Sequence, residues 1–419
     1  MPKSIYFARQ PILDIHGQTY AYELLYRSSY EQSFSPIQDD QSATAQVLVN
    51  ALNLIGIKNL LGDAFAFINT DKSILMDDMI LSIPKEHFVL ELLETIVIDE
   101  ELIQRIKELK EKGYRFALDD ADCSKEYVLN FQPVFKYMDI LKLDITLVDE
   151  KRLPKFLELF SKFNIKVLAE KVETQEEFDK YKEFGCHYFQ GYFFAKPDII
   201  ENKRLDPEQL FVLNIISKLQ GECDPDEISH LFEQNVAITL QLLRFINSAA
   251  FAFRSPIKSI KQAITLLGQN QLKSWLLLIS YATKSNDNQT LANPLLHLAQ
   301  TRANMMKTLY KVVYKDKCNQ NVIDKAAFIG LLSLVEALFQ SPMQTILNEL
   351  NVDEEIIQTL LYYKSDLGKI YKLVAALEVF DVDVVDYLVE NLHLDKKEFS
   401  TAVEESYQLT ESFMKELSA

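Results

Sequence analysis

Between residues 65 and 195, short apolar runs alternate with amphipathic stretches. The runs read FAFINT, FVLELLE, RFALDD, ILKLD, KVLAEKVE and YFQGYFF. Between them, DEELIQRIKELKEKG and EKRLPKFLELFSKFN place apolar residues three and four positions apart, the spacing of one helix face. Near-continuous apolar runs predict strands covered on both faces, so the alternation predicts a parallel sheet wrapped by helices. Upstream, SIYFARQPILDI and QTYAYELLYR flank His16 and Gly17, a hairpin signal. Eight strands in about 195 residues is short for a TIM-like β/α barrel, but a hairpin in place of one crossover makes it feasible. The fold class is α/β, a barrel, with an open doubly wound sheet as the structural alternative.

Beyond Pro197 the pattern changes. KPDIIENKRLDPEQ carries two prolines and seven charges, and no strand–helix alternation follows it. The segments PEQLFVLNIISKLQG, DEISHLFEQNVAITLQLLRFINSAAF, SIKQAITLLGQNQLKSWLLLISYA and DKAAFIGLLSLVEALFQ read as helices separated by Gly, Pro, Asn or Asp. The expected division is a barrel over residues 1–199 and an all-helical domain over 200–419.

The composition narrows the function classes. The 419 residues are 48% hydrophobic and 25% charged, ordinary for a folded soluble protein. The net charge of −17 is evenly spread, with 33 acids against 23 Lys and Arg in residues 1–200 and 28 against 21 beyond. No basic block marks a nucleic-acid polymer as partner. Cys123, Cys186, Cys223 and Cys318 are far apart, without metal or disulfide spacing, and read as reduced thiols. MPKSIYFARQ lacks an apolar signal core and no uncharged run is long enough to span a bilayer, so a soluble, cytoplasmic protein is expected.

The polar residues at the strand ends are Glu23, Asn69, Glu91 and Glu94, Asp119 and Asp120, Lys142 and Asp144, Glu170 and Glu173, then Gln190. In a β/α barrel these ends converge on one face, where active sites lie. Adjacent carboxylates such as Asp119 and Asp120 repel unless a cation or hydrogen bonds neutralise them. Oxygen ligands from several strands suit Mg²⁺ or Mn²⁺, and two such ions form a common arrangement for phosphodiester hydrolysis. The competing explanation is that strands end in Asp, Glu or Asn because loops and caps begin there. The residues alone leave both open.

The same residues carry a resemblance. YELLYR is similar to the Glu-x-Leu-x-Arg form of the EAL signature, with Glu23, Leu25 and Arg27, and RQPILD resembles the segment before it. FIN, LELLE, LDD, LKLD, LAEKVE and FQGYFFAKP match later motifs of EAL phosphodiesterases in order, so residues 4–199 resemble that family. The resemblance implies a β/α barrel with one antiparallel strand, and hydrolysis of cyclic di-GMP to pGpG with Mg²⁺ or Mn²⁺. It implies Glu23, Asn69, Glu91 and Asp119 as ligands of a first ion, and Asp119 with Asp120 for a second. It further implies Lys142 orienting or activating the attacking water, Glu170 as general base, and Gln190 completing the water and metal shell. Gln10 and Arg27 would contact the dinucleotide, and Glu94 would steady the loop after the aspartates.

Two departures stand out. The family loop Asp-Asp-Phe-Gly-x-Gly-x-Ser-Ser is DDADCSKEY here, which removes its glycines and phenylalanine. In the family that loop joins substrate, metal and dimer interface, so the resemblance implies slow turnover here and leaves a homodimer open. Lys171 stands where the family has glycine. Its cation could act on Glu170, contact a phosphate or point outward.

Residues 200–400 resemble the HDOD domain, chiefly through ITLQLLRFINSAAFAFRSPIKSIKQAITLLG. The parent HD superfamily uses a His-Asp pair as metal ligands, but Ser333 and Leu334 stand in its place, so this half reads as non-catalytic. His230, His297 and His393 read as solvent-facing or core-edge residues, and Trp275 as core. Phe251 and Phe253 read as packing under a turn, and Arg244 as a salt-bridge or interaction residue. Two functions follow. One is a metal-dependent cyclic di-GMP phosphodiesterase with a regulatory helical domain. The other is an inactive barrel that binds cyclic di-GMP or protein and signals to a protein partner through HDOD. A purely structural scaffold leaves the row of strand-end ligands unexplained.

Overall fold

Among the described residues, eight strands carry the apolar runs. They are β1 Ile5–Asp14, β2 Thr19–Ser28, β3 Phe65–Thr70, β4 Phe88–Leu92, β5 Arg115–Ala121, β6 Ile140–Asp144, β7 Lys166–Glu170 and β8 Tyr188–Gln190. The computed structural model describes residues 5–28, 61, 64–195, 207–221, 224–233, 235–246, 259–283 and 294–418. The strands close in sequence order into a barrel, so the open sheet is ruled out. β1 runs antiparallel to both β2 and β8, and the other neighbours are parallel. The hairpin turn is held by Asp14 Oδ1, which accepts from the amides of His16 at 2.8 Å and Gln18 at 2.9 Å.

Side chains alternate along a strand, and this positions the site. The barrel interior is filled by Ile12, Ala21, Phe67, Val89, Ala117, Ile140, Leu168 and Tyr188. Two residues further along each parallel strand, on the same inward face, come Asn69, Glu91, Asp119, Lys142, Glu170 and Gln190. Glu23 follows Ala21 by the same step in β2. In the reversed β1, Gln10 precedes Ile12 by two. An apolar layer thus supports a polar layer at the C-terminal mouth.

Short helices follow the strands: α1 Lys72–Met76, α2 Glu100–Glu111, α3 Lys125–Phe131, α4 Leu153–Ser161 and α5 Gln175–Glu183. Asp71, Asp99, Ser124 and Thr174 cap α1, α2, α3 and α5, and Pro154 opens α4. Two strands stop earlier than their apolar runs. β7 ends at Glu170 because Lys171 turns left-handed, at φ +61°. β8 ends where Gly191 adopts φ +146° and packs so tightly that an added Cβ would lie 2.0 Å from the Val172 carbonyl oxygen.

The chain divides into two units, Met1–Lys196 and Pro197–Ala419. In the second, the described elements are helical: α6 Pro207–Lys218, α7 Pro225–Glu233, α8 Val236–Ile246, α9 Ile260–Thr283, α10 Pro294–Tyr314 and α11 Gln320–Leu332, then further helices to Ser418. The long helical patterns break at identifiable points. Asn235 accepts from the Ile238 amide at 3.1 Å and starts α8 afresh. Gly268, at φ +76°, kinks α9. Trp275 is buried, as its aliphatic neighbours predict. Gly330 lets α11 cross α10 closely, since a Cβ there would lie 2.6 Å from Ala303 Cα. Phe251 and Phe253 lie outside the described residues, as do the side chains of Arg27 and Arg244. No helix among the described residues is long and apolar enough to cross a membrane.

Candidate active site

Lys142 of β6 is the centre of the polar layer. Its Nζ lies 2.8 Å from Asp119 Oδ1, 3.0 Å from Glu91 Oε1, 3.0 Å from Glu170 Oε1 and 3.4 Å from Glu23 Oε2. Lys142 is 1% exposed and the four acids are also buried. Gln190 Nε2 donates to Glu23 Oε2 at 2.6 Å and to Gln10 Oε1 at 2.9 Å, and Asn69 Nδ2 donates to Glu23 Oε1 at 3.5 Å. Residues from β1 to β8, far apart in sequence, therefore meet in one cluster.

Asp119 and Asp120 sit in a bulge. Between Leu118, paired with Leu141, and Ala121, paired with Leu143, β5 carries one residue more than β6. The bulge breaks the strict alternation that would send neighbouring side chains to opposite faces. Asp119 is buried against Lys142, while Asp120, at φ +43°, stays half-buried beside it. One carboxylate oxygen from each of Glu94, Asp119 and Asp120 falls within 4.8 Å of the others.

Charge is badly matched in this layer. Among the described residues, four buried carboxylates share a single ammonium. Burial alone would lower the pKa of Lys142, but the four acids outweigh it and hold the ammonium protonated, well above the ordinary lysine value. Burial raises the Glu170 pKa to about 8, with Asp119 and Glu23 adding and Lys142 opposing. Burial likewise raises Glu91, against the pull of Lys142 and with the other three acids adding. Burial and then the Asp119 charge raise Asp120.

The donor set fits a hard divalent cation. Glu91 Oε2, Glu170 Oε2 and Gln190 Oε1 are buried without a hydrogen-bond partner. Glu91 Oε1 lies close to the Lys142 ammonium but is misaligned for a hydrogen bond, so that contact is electrostatic. Buried oxygens with unused lone pairs and excess negative charge are what Mg²⁺ or Mn²⁺ requires.

The departures take definite form. In the loop after β5, Asp122 Oδ1 accepts from the Ser124 amide at 2.9 Å and Ser124 Oγ from the Tyr127 amide at 3.0 Å. The Tyr127 hydroxyl donates to the Asp119 carbonyl at 2.8 Å. Cys123 is buried at φ +59°. The loop is knit by its own bonds rather than freed by glycine. Lys171 stays about half exposed, forms an ion pair with Asp144, and has its Nζ 3.8 Å from Asp120 Oδ1. The sequence showed Tyr127 and Asp144 but not these roles, which depend on the bulge and the left-handed turn.

In the helical unit, Ser333 Oγ accepts from Arg302 Nη1 at 2.9 Å, and Arg302 forms a bidentate pair with Glu378 at 2.8 and 2.7 Å. An ion pair adjoins Ser333, one of the two residues standing where the HD pair would fall. His297 Nε2 lies 2.9 Å from Glu411 Oε1, at the edge of the core.

A closed barrel with one reversed strand and a ring of inward acids at its mouth defines a β/α-barrel protein with a site suited to metal. The chain belongs to the family of EAL proteins that carry an HDOD domain: the EAL domain model matches residues 3–197 and the HDOD domain model residues 211–353. It is 31% identical over 402 residues to the uncharacterized protein YuxH of Bacillus subtilis, across 94% of this chain and 95% of that one. It is 29% identical over 379 residues to the cyclic di-GMP phosphodiesterase CdgJ of Vibrio cholerae, across 90% and 85%. A crystal structure of a standalone EAL protein from Vibrio cholerae with cyclic di-GMP bound is 26% identical, covers 47% of this chain and 93% of that one, and has a TM-score of 0.38.

Proposed function

We propose that the barrel is a cytoplasmic cyclic di-GMP phosphodiesterase, dependent on Mg²⁺ or Mn²⁺ and releasing pGpG, and that the HDOD half is a non-catalytic regulatory module that acts on a protein partner. The observation that carries this reading is the buried ring of four carboxylates around one lysine, in a chain of the EAL family that also resembles CdgJ. Glu23, Asn69, Glu91 and Asp119 hold the divalent ion, with Asp120 beside them. When bound, that ion polarises a phosphoryl oxygen and acidifies water.

The side chains do the rest. Glu170 accepts the attacking water's proton at its unpartnered Oε2. Lys142 stays protonated. It cannot serve as a base, and its charge keeps the acids of the ring together and orients water beside Glu170. Gln190 orders Glu23 and Gln10, and Gln10 with Arg27 contacts the dinucleotide. Glu94 steadies the loop after Asp120. Turnover is slow because that loop follows its own bonding pattern.

The second reading, a barrel that binds cyclic di-GMP without cleaving it, is favoured by the Lys171 ammonium beside Asp120. Incubating the full chain with cyclic di-GMP and Mn²⁺ and chromatographing the products separates the two. Formation of pGpG supports the enzyme. Cyclic di-GMP that is retained by the protein but never converted supports the binding module.

A further inference from the structure

We propose that the Lys171 ammonium takes the place of a second divalent cation, so that this barrel holds one metal ion. The inference rests on the metal-centre reading above and concerns which part of that centre a metal fills. Lys171 follows Glu170 at the point where β7 ends, in a left-handed conformation that favours glycine. The turn is clamped to β8: the Val172 amide donates to the Gln190 carbonyl at 3.0 Å, and the Phe193 amide to the Val172 carbonyl at 3.2 Å. From this fixed turn the side chain reaches Asp144 of β6 and approaches Asp120 of β5.

Asp144 is fully engaged. It is 1% exposed, pairs with Lys171 through Oδ2, and accepts at Oδ1 from the Thr146 amide at 2.8 Å and hydroxyl at 2.6 Å. A divalent ion bonded to Asp120 Oδ1 at roughly 2.1 Å would lie within about 6 Å of the Lys171 ammonium, close enough for strong mutual repulsion. The two places differ in charge demand. The ring around Lys142 has four acids for one ammonium, whereas Asp120 and Asp144 have Lys171 between them. The first has one ammonium among four acids, whereas at the second Lys171 already offsets part of the charge of Asp120, Asp144 and the nearby Glu94. An ammonium can donate to a phosphate oxygen but cannot acidify water as a metal does, which accounts for slow turnover in its own right.

Mn²⁺ stoichiometry on the full-length, EDTA-stripped chain tests this directly, by equilibrium dialysis and electron paramagnetic resonance. The wild type should take up one Mn²⁺ per chain with the spectrum of an isolated ion, and Lys171→Arg should do the same. Lys171→Gly, which suits the left-handed backbone, should take up two with the altered spectrum of a spin-coupled pair. Lys171→Met, which removes the charge but keeps a side chain, should also take up two. Two ions on the wild type, or one on both charge-removing variants, would overturn the inference while leaving the metal centre standing. No Mn²⁺ on any of the four proteins would overturn the metal centre and this inference together.

Discussion

Lys142 decides how the acid ring behaves without metal, because among the described residues it is the one cation paired with all four buried carboxylates. The folded barrel holds the Glu170 proton up to about pH 8, while the unfolded chain releases it near the ordinary value of 4.5. Folded protein therefore binds more protons than unfolded protein between those values, and stability falls as pH rises through that window. Calorimetry of the EDTA-treated chain should show its Mn²⁺-responsive transition moving to lower temperature from pH 5 to pH 8. Glu170→Gln, neutral throughout, should flatten that slope and raise the metal-free transition at pH 8. The same variant should lower turnover by about 100- to 10,000-fold, the range for a positioned general base. A wild-type transition that does not move with pH would contradict the burial of Glu170. Glu23, Asn69, Glu91, Asp119, Lys142, Glu170 and Gln190 were legible in the sequence because each is a polar residue that interrupts or ends an apolar run. The aim of Lys171 was not, since nothing in LAEKVE states that its backbone turns left-handed and sends the side chain to Asp144.

The strands were legible as elements because buried strands need long apolar runs, whereas the hairpin at His16 and Gly17 made a closed barrel feasible without excluding an open sheet, and the structure decides for closure. Their ends were less so. β7 and β8 stop where Lys171 and Gly191 leave extended geometry, and the bulge that presents both Asp119 and Asp120 leaves no mark in LDD. Helix breaks in the second unit hinge on single residues, such as Asn235 capping α8, inside patterns that read as continuous. In the loop after β5 the lost glycines remove backbone freedom, and Asp122, Ser124 and Tyr127 bind it together by contacts that DDADCSKEY alone does not state. The triple change Ala121→Phe, Asp122→Gly, Ser124→Gly restores the family pattern. Glycine costs only a few tenths of a kcal/mol in place of a serine N-cap, so α3 should survive. Initial-rate measurements should show kcat rising more than KM changes. An unchanged kcat in a folded triple variant would show that the loop does not limit turnover.

At the scale of the whole molecule, two units carry different uses of buried charge. In the barrel an excess of acid calls for metal. In the helical unit Arg302 and Glu378 satisfy each other beside Ser333. Both partners are about one-tenth exposed, so Arg302→Met should cost about 3–5 kcal/mol by stranding Glu378, and Arg302→Met with Glu378→Met should recover most of it. Trp275, the single tryptophan, lies in this unit, and its fluorescence during denaturation reads the effect locally. Equal loss in the single and double variants would show that packing, not the ion pair, sets the cost. Anomalous diffraction at the manganese edge, from crystals grown with Mn²⁺, shows whether the ring around Lys142 is a divalent-metal centre. A peak is expected at the barrel mouth, bonded by Glu23, Asn69, Glu91 and Asp119, with the Lys142 ammonium drawn away from at least one of the carboxylates it now holds. A barrel without a peak, in which Lys142 still gathers all four acids, would contradict a metal centre there.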